Sequence, residues 1–339
     1  MPEFRQNMLT HEWVVIATER AKRPEDFIKQ AIEKPPLPEF SPNCPFCPGN
    51  EGQTPPALHT IERNGRWQVR VVPNKFAALQ PDVPFRTEPD GQFLKATGYG
   101  IAEVIIETPR HDMTLATMDN AAVEDVVTAY KLRYLSAARQ SRICFINLFR
   151  NHGLRAGTSL EHPHSQLIAT PIVPPHVRNP IEQAVRYFDS HGQCIYCDML
   201  AEEMRVGGRI IAETDFFVAY APYASRTPFE IRIMPKKHQA SFGDIGSREA
   251  ADFAAALKSI LARVYLGLAN PDYNFIIRSA TVGDENDKYF HWYMVIIPKL
   301  TTPAGFEIGT GIYINVTHPE KCAEFLRNVT LGPGCVSSS

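Results

Sequence analysis

His162 and His164 stand two residues apart in the run His162-Pro163-His164-Ser165-Gln166, and the two imidazoles keep different company. His162 closes a set made of Cys44-Pro-Phe-Cys47, His111 and His162 itself. A second set follows in the same order: Cys194-Ile-Tyr-Cys197, His238 and His291. The last two ligands of each set are separated by nearly equal intervals, and Glu103 to His111 echoes Glu230 to His238. Two thiolates and two imidazoles are the donors of a closed, tetrahedral zinc site, so two structural Zn2+ ions are expected. Each Cys-x-x-Cys would place its thiolates on a tight turn, and the histidines would come from separate strands. A lone Cys-x-x-Cys is as readily a pair of ordinary buried cysteines; the repeated order argues for metal. A nucleic-acid zinc ribbon wants its second Cys-x-x-Cys roughly 15–20 residues on. Here the pairs are far apart, and histidines complete each set.

His164 has no counterpart in the second set, where Tyr293 takes its place. On a strand, His162, His164 and Gln166 would share one face. A neutral imidazole is nucleophilic near pH 7, and phosphorus accepts it to form a labile P–N bond. Gln166 would then donate its amide to a phosphoryl oxygen. The preceding run Asn151-His-Gly-Leu-Arg-Ala-Gly-Thr-Ser159 has glycines that permit a nest of backbone amides around an anion. Aligned on His162 and His291, Asn151 falls opposite Ala280 and Gln166 opposite Val295. A lone strand histidine is more often structural; its polar neighbours single out His164.

The elements that must hold these groups are legible from periodicity. Trp67–Pro73, Gly100–Glu107 and Ile143–Phe149 read as strands around a helix from Asp119 to Gln140. The second half repeats the order with strands at Phe216–Ala221, Glu230–Met234, Tyr273–Ile277 and His291–Ile297, and a helix at Arg248–Leu268. The join is expected near Pro171–Pro175, before a short helix around Pro180–Ser190. This is an α+β pattern with mainly antiparallel sheets, in two units related by internal duplication: residues 1–175 with the catalytic histidine and residues 176–339. The C-terminal run from Gly332 to Ser339 is expected to fray.

Bulk composition excludes other classes. The 339 residues carry 44% hydrophobic and 21% charged residues with a net charge of −2, so no broad basic surface suggests nucleic acid. No apolar run approaches the roughly 18 residues of a membrane span, and the N-terminus lacks a signal-peptide layout. Seven cysteines, four of them in Cys-x-x-Cys pairs, suit metal sites in a reducing cytoplasm.

The pattern resembles galactose-1-phosphate uridylyltransferase, a branch of the histidine-triad superfamily. The resemblance rests on Arg20-Ala-Lys-Arg-Pro24, Cys44-Pro-Phe-Cys47, Val72 to Leu79, Asn151 to Gln166 and Gly305 to Gly309. It implies two histidine-triad-like half-barrel domains and a homodimer. It also implies ping-pong chemistry in which His164 attacks the α-phosphorus of a nucleoside diphosphate hexose. Hexose 1-phosphate leaves, and a second hexose 1-phosphate takes the nucleotidyl group. The resemblance assigns Gln166 and Ser159 to the transferred phosphoryl group, and Asn151 and Asn74 to the nucleotide. Arg20 and Arg23 match nucleotide-sugar positions, and Phe306 and Glu307 the hexose side. Lys75, Gly157 and Thr158, inside the matched runs, join the substrate-binding candidates.

Three departures bear on the substrate. The familiar motif ends His-Gly-Gln where this chain has His164-Ser165-Gln166. The second metal set uses Cys194, Cys197, His238 and His291 instead of a glutamate with histidines. Thr301 and Thr302 replace a lysine and an aromatic. The second metal set, with Phe306 to Gly311, is similar to the plant branch acting on ADP-glucose. The first expectation is transfer of UMP from UDP-glucose to galactose 1-phosphate, and the alternative is ADP-glucose phosphorylase chemistry through the same histidine. A zinc-stabilised nucleotide binder without turnover, or a dinucleotide hydrolase, accounts less well for His164 and its neighbours.

Overall fold

The computed structural model describes residues 1–17, 24–29 and 34–332. Arg20, Arg23 and nearly all of the C-terminal run lie outside the described residues. Strands β1 (Glu3–Gln6) and β2 (Trp13–Ile16) precede α1 (Pro24–Lys29), β3 (His59–Arg63) and β4 (Arg66–Pro73). An exposed hairpin of β5 (Thr87–Asp90) and β6 (Phe93–Ala96) leads to β7 (Ile101–Ile106), α2 (Asn120–Ala138), β8 (Phe145–His152) and β9 (His164–Thr170). The second half holds α3 (Pro175–His191), α4 (Ile195–Val206), β10 (Ile210–Glu213), β11 (Phe217–Tyr220) and β12 (Ile231–Pro235). Then come α5 (Ser247–Gly267), β13 (Tyr273–Arg278), β14 (Tyr293–Pro298), α6 (Gly305–Thr310), β15 (Tyr313–Asn315) and α7 (Pro319–Arg327).

Ten strands form one sheet in the order β10-β11-β12-β14-β13-β8-β9-β7-β4-β3. Every neighbouring pair runs antiparallel. Read inward from either edge, the two halves have the same strand sequence, and they meet where β8 pairs with β13. The two expected units therefore share one continuous sheet. A separate three-stranded sheet joins β1 and β2 to β15 near the other end of the chain.

Helices α2 and α5 pack on each other, α2 on the strands of the first half and α5 on β10 and β11. The Asp119 carboxylate caps α2 by accepting the Ala122 N–H at 2.7 Å, and Glu249 accepts the Gly246 N–H at 2.8 Å at the start of α5. Side-chain alternation sends Val71, Ile105, Leu148, Leu167, Phe275, Ile277, Met294 and Ile296 into one core beneath these helices. The opposite face is covered differently in each half. Cys44, Phe46 and Cys47 cover Val72, Val104 and Ile106 in the first, and Tyr196 of α4 packs on Tyr293 in the second.

Three expectations change. Helix α3 starts at Pro175, earlier than expected, and α4 was not anticipated. Cys194 is the N-cap of α4, so the second cysteine pair sits on a helical first turn, with Ile195, Tyr196 and Leu200 buried behind it. The echo between Glu103–His111 and Glu230–His238 also slips by one residue. Ile106 pairs with His164, but Ile233 pairs with Met294 and not with Tyr293. A one-residue slip exchanges the faces of a strand. Glu103 accordingly binds Arg133 of α2 at 2.5 Å, whereas Glu230 accepts the Arg226 backbone N–H at 2.9 Å.

The aromatic packing beneath α5 centres on Phe253, fully buried against Phe217, Phe242 and Trp292 at ring separations of 5.2, 6.2 and 5.4 Å. Phe253→Ala is expected to destabilise the protein by about 3–5 kcal/mol in urea unfolding. A loss below about 1 kcal/mol would contradict this packing.

Candidate active site and metal centres

The first cysteine–histidine set converges. Cys44, Cys47, His111 and His162 are all buried, with their donor atoms within 4.8 Å of one another. Zn–N bonds of about 2.0–2.1 Å and Zn–S bonds of about 2.3 Å make a tetrahedron whose N–N edges are about 3.3 Å and S–N edges about 3.6 Å. The Nδ1 atoms of His111 and His162 lie 3.3 Å apart, and Cys47 Sγ is 3.6 Å from each. His162 Nε2 lies 2.8 Å from the Thr108 carbonyl, which can only accept, so Nε2 carries the proton and Nδ1 keeps its lone pair for a metal. These residues fit zinc.

In the second set the donors of Cys194, Cys197 and His238 cluster within 4.8 Å. His291 Nδ1 stands 3.4 Å from Cys197 Sγ beside that cluster, and its buried Nε2 finds no partner among the described residues. His238 Nε2 donates to the Asp287 carbonyl at 3.0 Å, leaving Nδ1 toward the thiolates. The donor chemistry again suits zinc, with three donors grouped and His291 alongside.

His162 precedes the strand, in a bend, and β9 begins at His164. The expected shared face therefore holds for His164 and Gln166, while His162 reaches the metal set from outside the ladder. His164 Nδ1 lies 2.8 Å from the His162 carbonyl. That oxygen can only accept, so Nδ1–H is the donor and Nε2 carries the free lone pair. Burial, leaving 7% exposure, pushes the imidazole below its ordinary value and keeps it neutral near pH 7. Phe46, between the two cysteines, packs its ring 5.4 Å from that of His164. The arm carrying the two cysteines thus braces His164 as well as His162.

Gln166 pairs with Phe149 across β8, and continuing this register by two residues sets Asn151 across from His164. Asn151 in turn pairs with Asn274 of β13. Asn274 is a site-face residue that the sequence reading missed, because an asparagine amid Tyr273, Phe275 and Ile276 reads as an ordinary strand alternation. It donates to Asn151 Oδ1 at 2.8 Å and to the Ala156 carbonyl at 2.9 Å.

In the turn after Asn151, four amides of the expected nest are already bonded. Arg155 N–H goes to Asp272 at 2.7 Å, and the amides of Ala156, Gly157 and Thr158 bond back within the turn. These amides serve the turn's own geometry. Gly153 is required there: φ is +83°, and a Cβ would lie 1.9 Å from an Asp272 oxygen. Gly157 is exposed with φ +90°, the Thr158 hydroxyl donates to Leu160 O at 3.2 Å, and the Ser159 side chain is exposed. His152 takes a structural role, stacked on Tyr273 at 4.7 Å and paired with Asn270 at 2.8 Å.

Beneath the strand, Ser165 points to the helix face. Its hydroxyl donates to Glu107 at 2.5 Å and lies 2.6 Å from the Tyr130 hydroxyl. Arg150 donates to the same Glu107 carboxylate at 3.0 Å and to the Tyr273 hydroxyl at 2.8 Å. The departure from His-Gly-Gln is thereby accounted for: a serine hydroxyl at this position completes a buried polar network. In the second half, Tyr293 is enclosed by Tyr196 at 5.9 Å and by the Arg232 guanidinium at 5.0 Å. An aromatic packing cluster fills the place corresponding to His164.

The remaining candidates are dispersed. Asn74, just past β4, accepts the Phe76 N–H at 3.0 Å, and Lys75 is exposed beside it. Phe306 and Glu307 lie on α6, which packs on β15, and Glu307 caps its own helix by accepting Ala304 N–H at 3.0 Å. No hydrogen bond joins either residue to His164 among the described residues.

The family model for the galactose-1-phosphate uridyl transferase N-terminal domain matches residues 1–174, and that for the C-terminal domain matches residues 180–316. ADP-glucose phosphorylase of Arabidopsis thaliana is 36% identical over 336 residues, covering 97% of this chain and 93% of that protein. Galactose-1-phosphate uridylyltransferase of Thermotoga maritima is 28% identical over 337 residues, covering 96% and 98%. The crystal structure of the Arabidopsis ADP-glucose phosphorylase with bound ADP-glucose superposes with a TM-score of 0.82 at 32% identity, covering 98% of this chain and 100% of that one. A uridylyltransferase structure gives 0.74 at 25% identity, with coverage of 96% and 97%. The chain belongs to the galactose-1-phosphate uridyl transferase family, a family of nucleotidyltransferases. Among the described residues no helix is long and apolar enough to cross a membrane.

Cys47→Ser removes the sulfur that meets both histidines of the first set. Elemental analysis is expected to show loss of one bound zinc with the second retained, and urea unfolding a lower midpoint. Unchanged zinc content would contradict the assignment.

Proposed function

We propose that this chain transfers a nucleotidyl group from a nucleoside diphosphate hexose through a covalent nucleotidyl-His164 intermediate. The observation that carries the reading is the Nδ1–H of His164 bound to the His162 carbonyl at 2.8 Å, which leaves Nε2 as the nucleophile. Nε2 attacks the α-phosphorus, the bond to the bridging oxygen breaks, and hexose 1-phosphate departs with that electron pair. An oxygen of the incoming acceptor then attacks the same phosphorus, and the P–N bond breaks to restore the neutral imidazole. Gln166 and Asn151 are the amide donors on this face for the phosphoryl oxygens, and Ser159 is offered from the exposed turn. Arg20, Arg23, Asn74 and Lys75 remain proposed nucleotide-sugar contacts, together with Gly157 and Thr158 in the turn. Phe306 and Glu307 remain proposed for the hexose, in a homodimer of this chain. The two zinc ions are structural in this scheme. The join between the catalytic half and its partner half is placed near residue 175.

Of the two substrate pairs, ADP-glucose with phosphate as acceptor has the stronger support. The similarity to the Arabidopsis ADP-glucose phosphorylase is higher in both sequence and superposition. The Cys194, Cys197, His238 and His291 set points the same way. Transfer of UMP from UDP-glucose to galactose 1-phosphate is the second reading, favoured by the two family models.

Incubation with ADP-glucose or UDP-glucose labelled at the α-phosphate, without acceptor, followed by acid-free denaturation, tests both questions. Labelled protein should accumulate faster from ADP-glucose, and His164→Ala should lower turnover at least about a thousandfold with no label retained. A labelled His164→Ala protein would refute the nucleophile, and faster labelling from UDP-glucose would reverse the substrate order.

A further inference from the structure

Asn274 lies on β13, in the half of the chain that has no nucleophile, yet its side chain meets the face that holds His164. Its Nδ2 is 2.8 Å from Asn151 Oδ1 and 2.9 Å from the Ala156 main-chain oxygen. A main-chain carbonyl only accepts, so the group facing Ala156 must be the NH2 of Asn274. Both of its N–H bonds are then used, one on Ala156 and one on Asn151. Asn151 is forced to accept through Oδ1, which turns its own NH2 the other way. That NH2 faces the turn, where a Cβ on Gly157 would stand 3.8 Å from Nδ2. No hydrogen bond to Asn151 Nδ2 is found among the described residues.

An asparagine left free to rotate its amide presents oxygen as readily as nitrogen. Toward an anionic phosphate the oxygen repels and the NH2 attracts. We infer that Asn274 is a positioning residue for nucleotidyl transfer: it locks Asn151 as a hydrogen-bond donor to the α-phosphoryl group on His164. The inference rests on the proposed His164 chemistry. It does not require Asn274 to touch the substrate, because its influence passes through one amide. The β8–β13 pairing that joins the two halves supplies the contact, so the second half contributes to the site through Asn274.

The test is single-turnover labelling of the full, zinc-loaded chain from α-phosphate-labelled ADP-glucose, with Asn274→Asp and Asn274→Leu in otherwise wild-type and Asn151→Ala backgrounds. Aspartate has nearly the same shape but only accepts. It repels the Ala156 carbonyl and draws the Asn151 NH2 to itself, leaving the Asn151 oxygen toward the phosphate. Asn274→Asp should slow labelling roughly a hundredfold and Asn274→Leu about tenfold. In the Asn151→Ala background either change should alter the rate less than about twofold. A purely structural role predicts the same loss in both backgrounds, and that result overturns the inference, as does wild-type-like labelling by Asn274→Asp. If Asn274→Asp does not fold, the two Asn274→Leu comparisons decide alone. A wild-type chain that takes no label removes the His164 reading and this inference with it, whereas a labelled wild type with unaffected Asn274 variants removes the inference only.

Discussion

One proton, held between His164 Nδ1 and the carbonyl of His162, decides what this site can do. It fixes the tautomer and leaves the lone pair on Nε2. The carbonyl is itself immobile because His162 is tied at both ring nitrogens, to Thr108 through Nε2 and to the first cysteine–histidine set through Nδ1. The arm carrying Cys44 and Cys47 adds Phe46 against the His164 ring. A metal ion held by this set would fix the acceptor of one hydrogen bond in place and so act on the proposed chemistry without performing it. Glu107, Ser165, Tyr130 and Arg150 hold the same strand from the opposite face, buried beneath α2.

The two halves of the chain divide these duties. Both carry a cysteine–histidine set and the same strand order, but only the first leaves a polar face beside that set. In the second, Tyr293, Tyr196 and Arg232 fill the corresponding region. Because β8 and β13 pair directly, the halves form one sheet and one apolar core under α2 and α5. A residue from either half can therefore reach the face of the other, as Asn274 does.

Much of this was legible in the letters. The cysteine–histidine spacing, the long amphipathic helices and the strand around His164 follow from ligand chemistry and periodicity, and the structure places them within a few residues. What escaped has identifiable causes. Helix α4 hid behind a cysteine pair read as a turn, although Ile195, Tyr196 and Leu200 mark its buried stripe. The one-residue slip on β12 is invisible to an alignment anchored on histidines outside the strand. The amides of Arg155, Ala156, Gly157 and Thr158 are already bonded, the first to Asp272, distant in sequence, and the rest within the turn. The cap that Glu307 makes on its own helix was also not read from the letters. Each omission concerns a partner remote in sequence or a local backbone bond, neither of which residue spacing encodes.

The most direct test is to establish which nitrogen carries phosphorus. Protein labelled with 15N in its histidines, reacted with nucleotide sugar in the absence of acceptor, can be read by phosphorus–nitrogen coupling in NMR. A nucleotidyl group on Nε2 of His164, with Nδ1 still protonated and hydrogen-bonded, is the predicted result. Phosphorus on Nδ1, or on any other residue, would contradict the account.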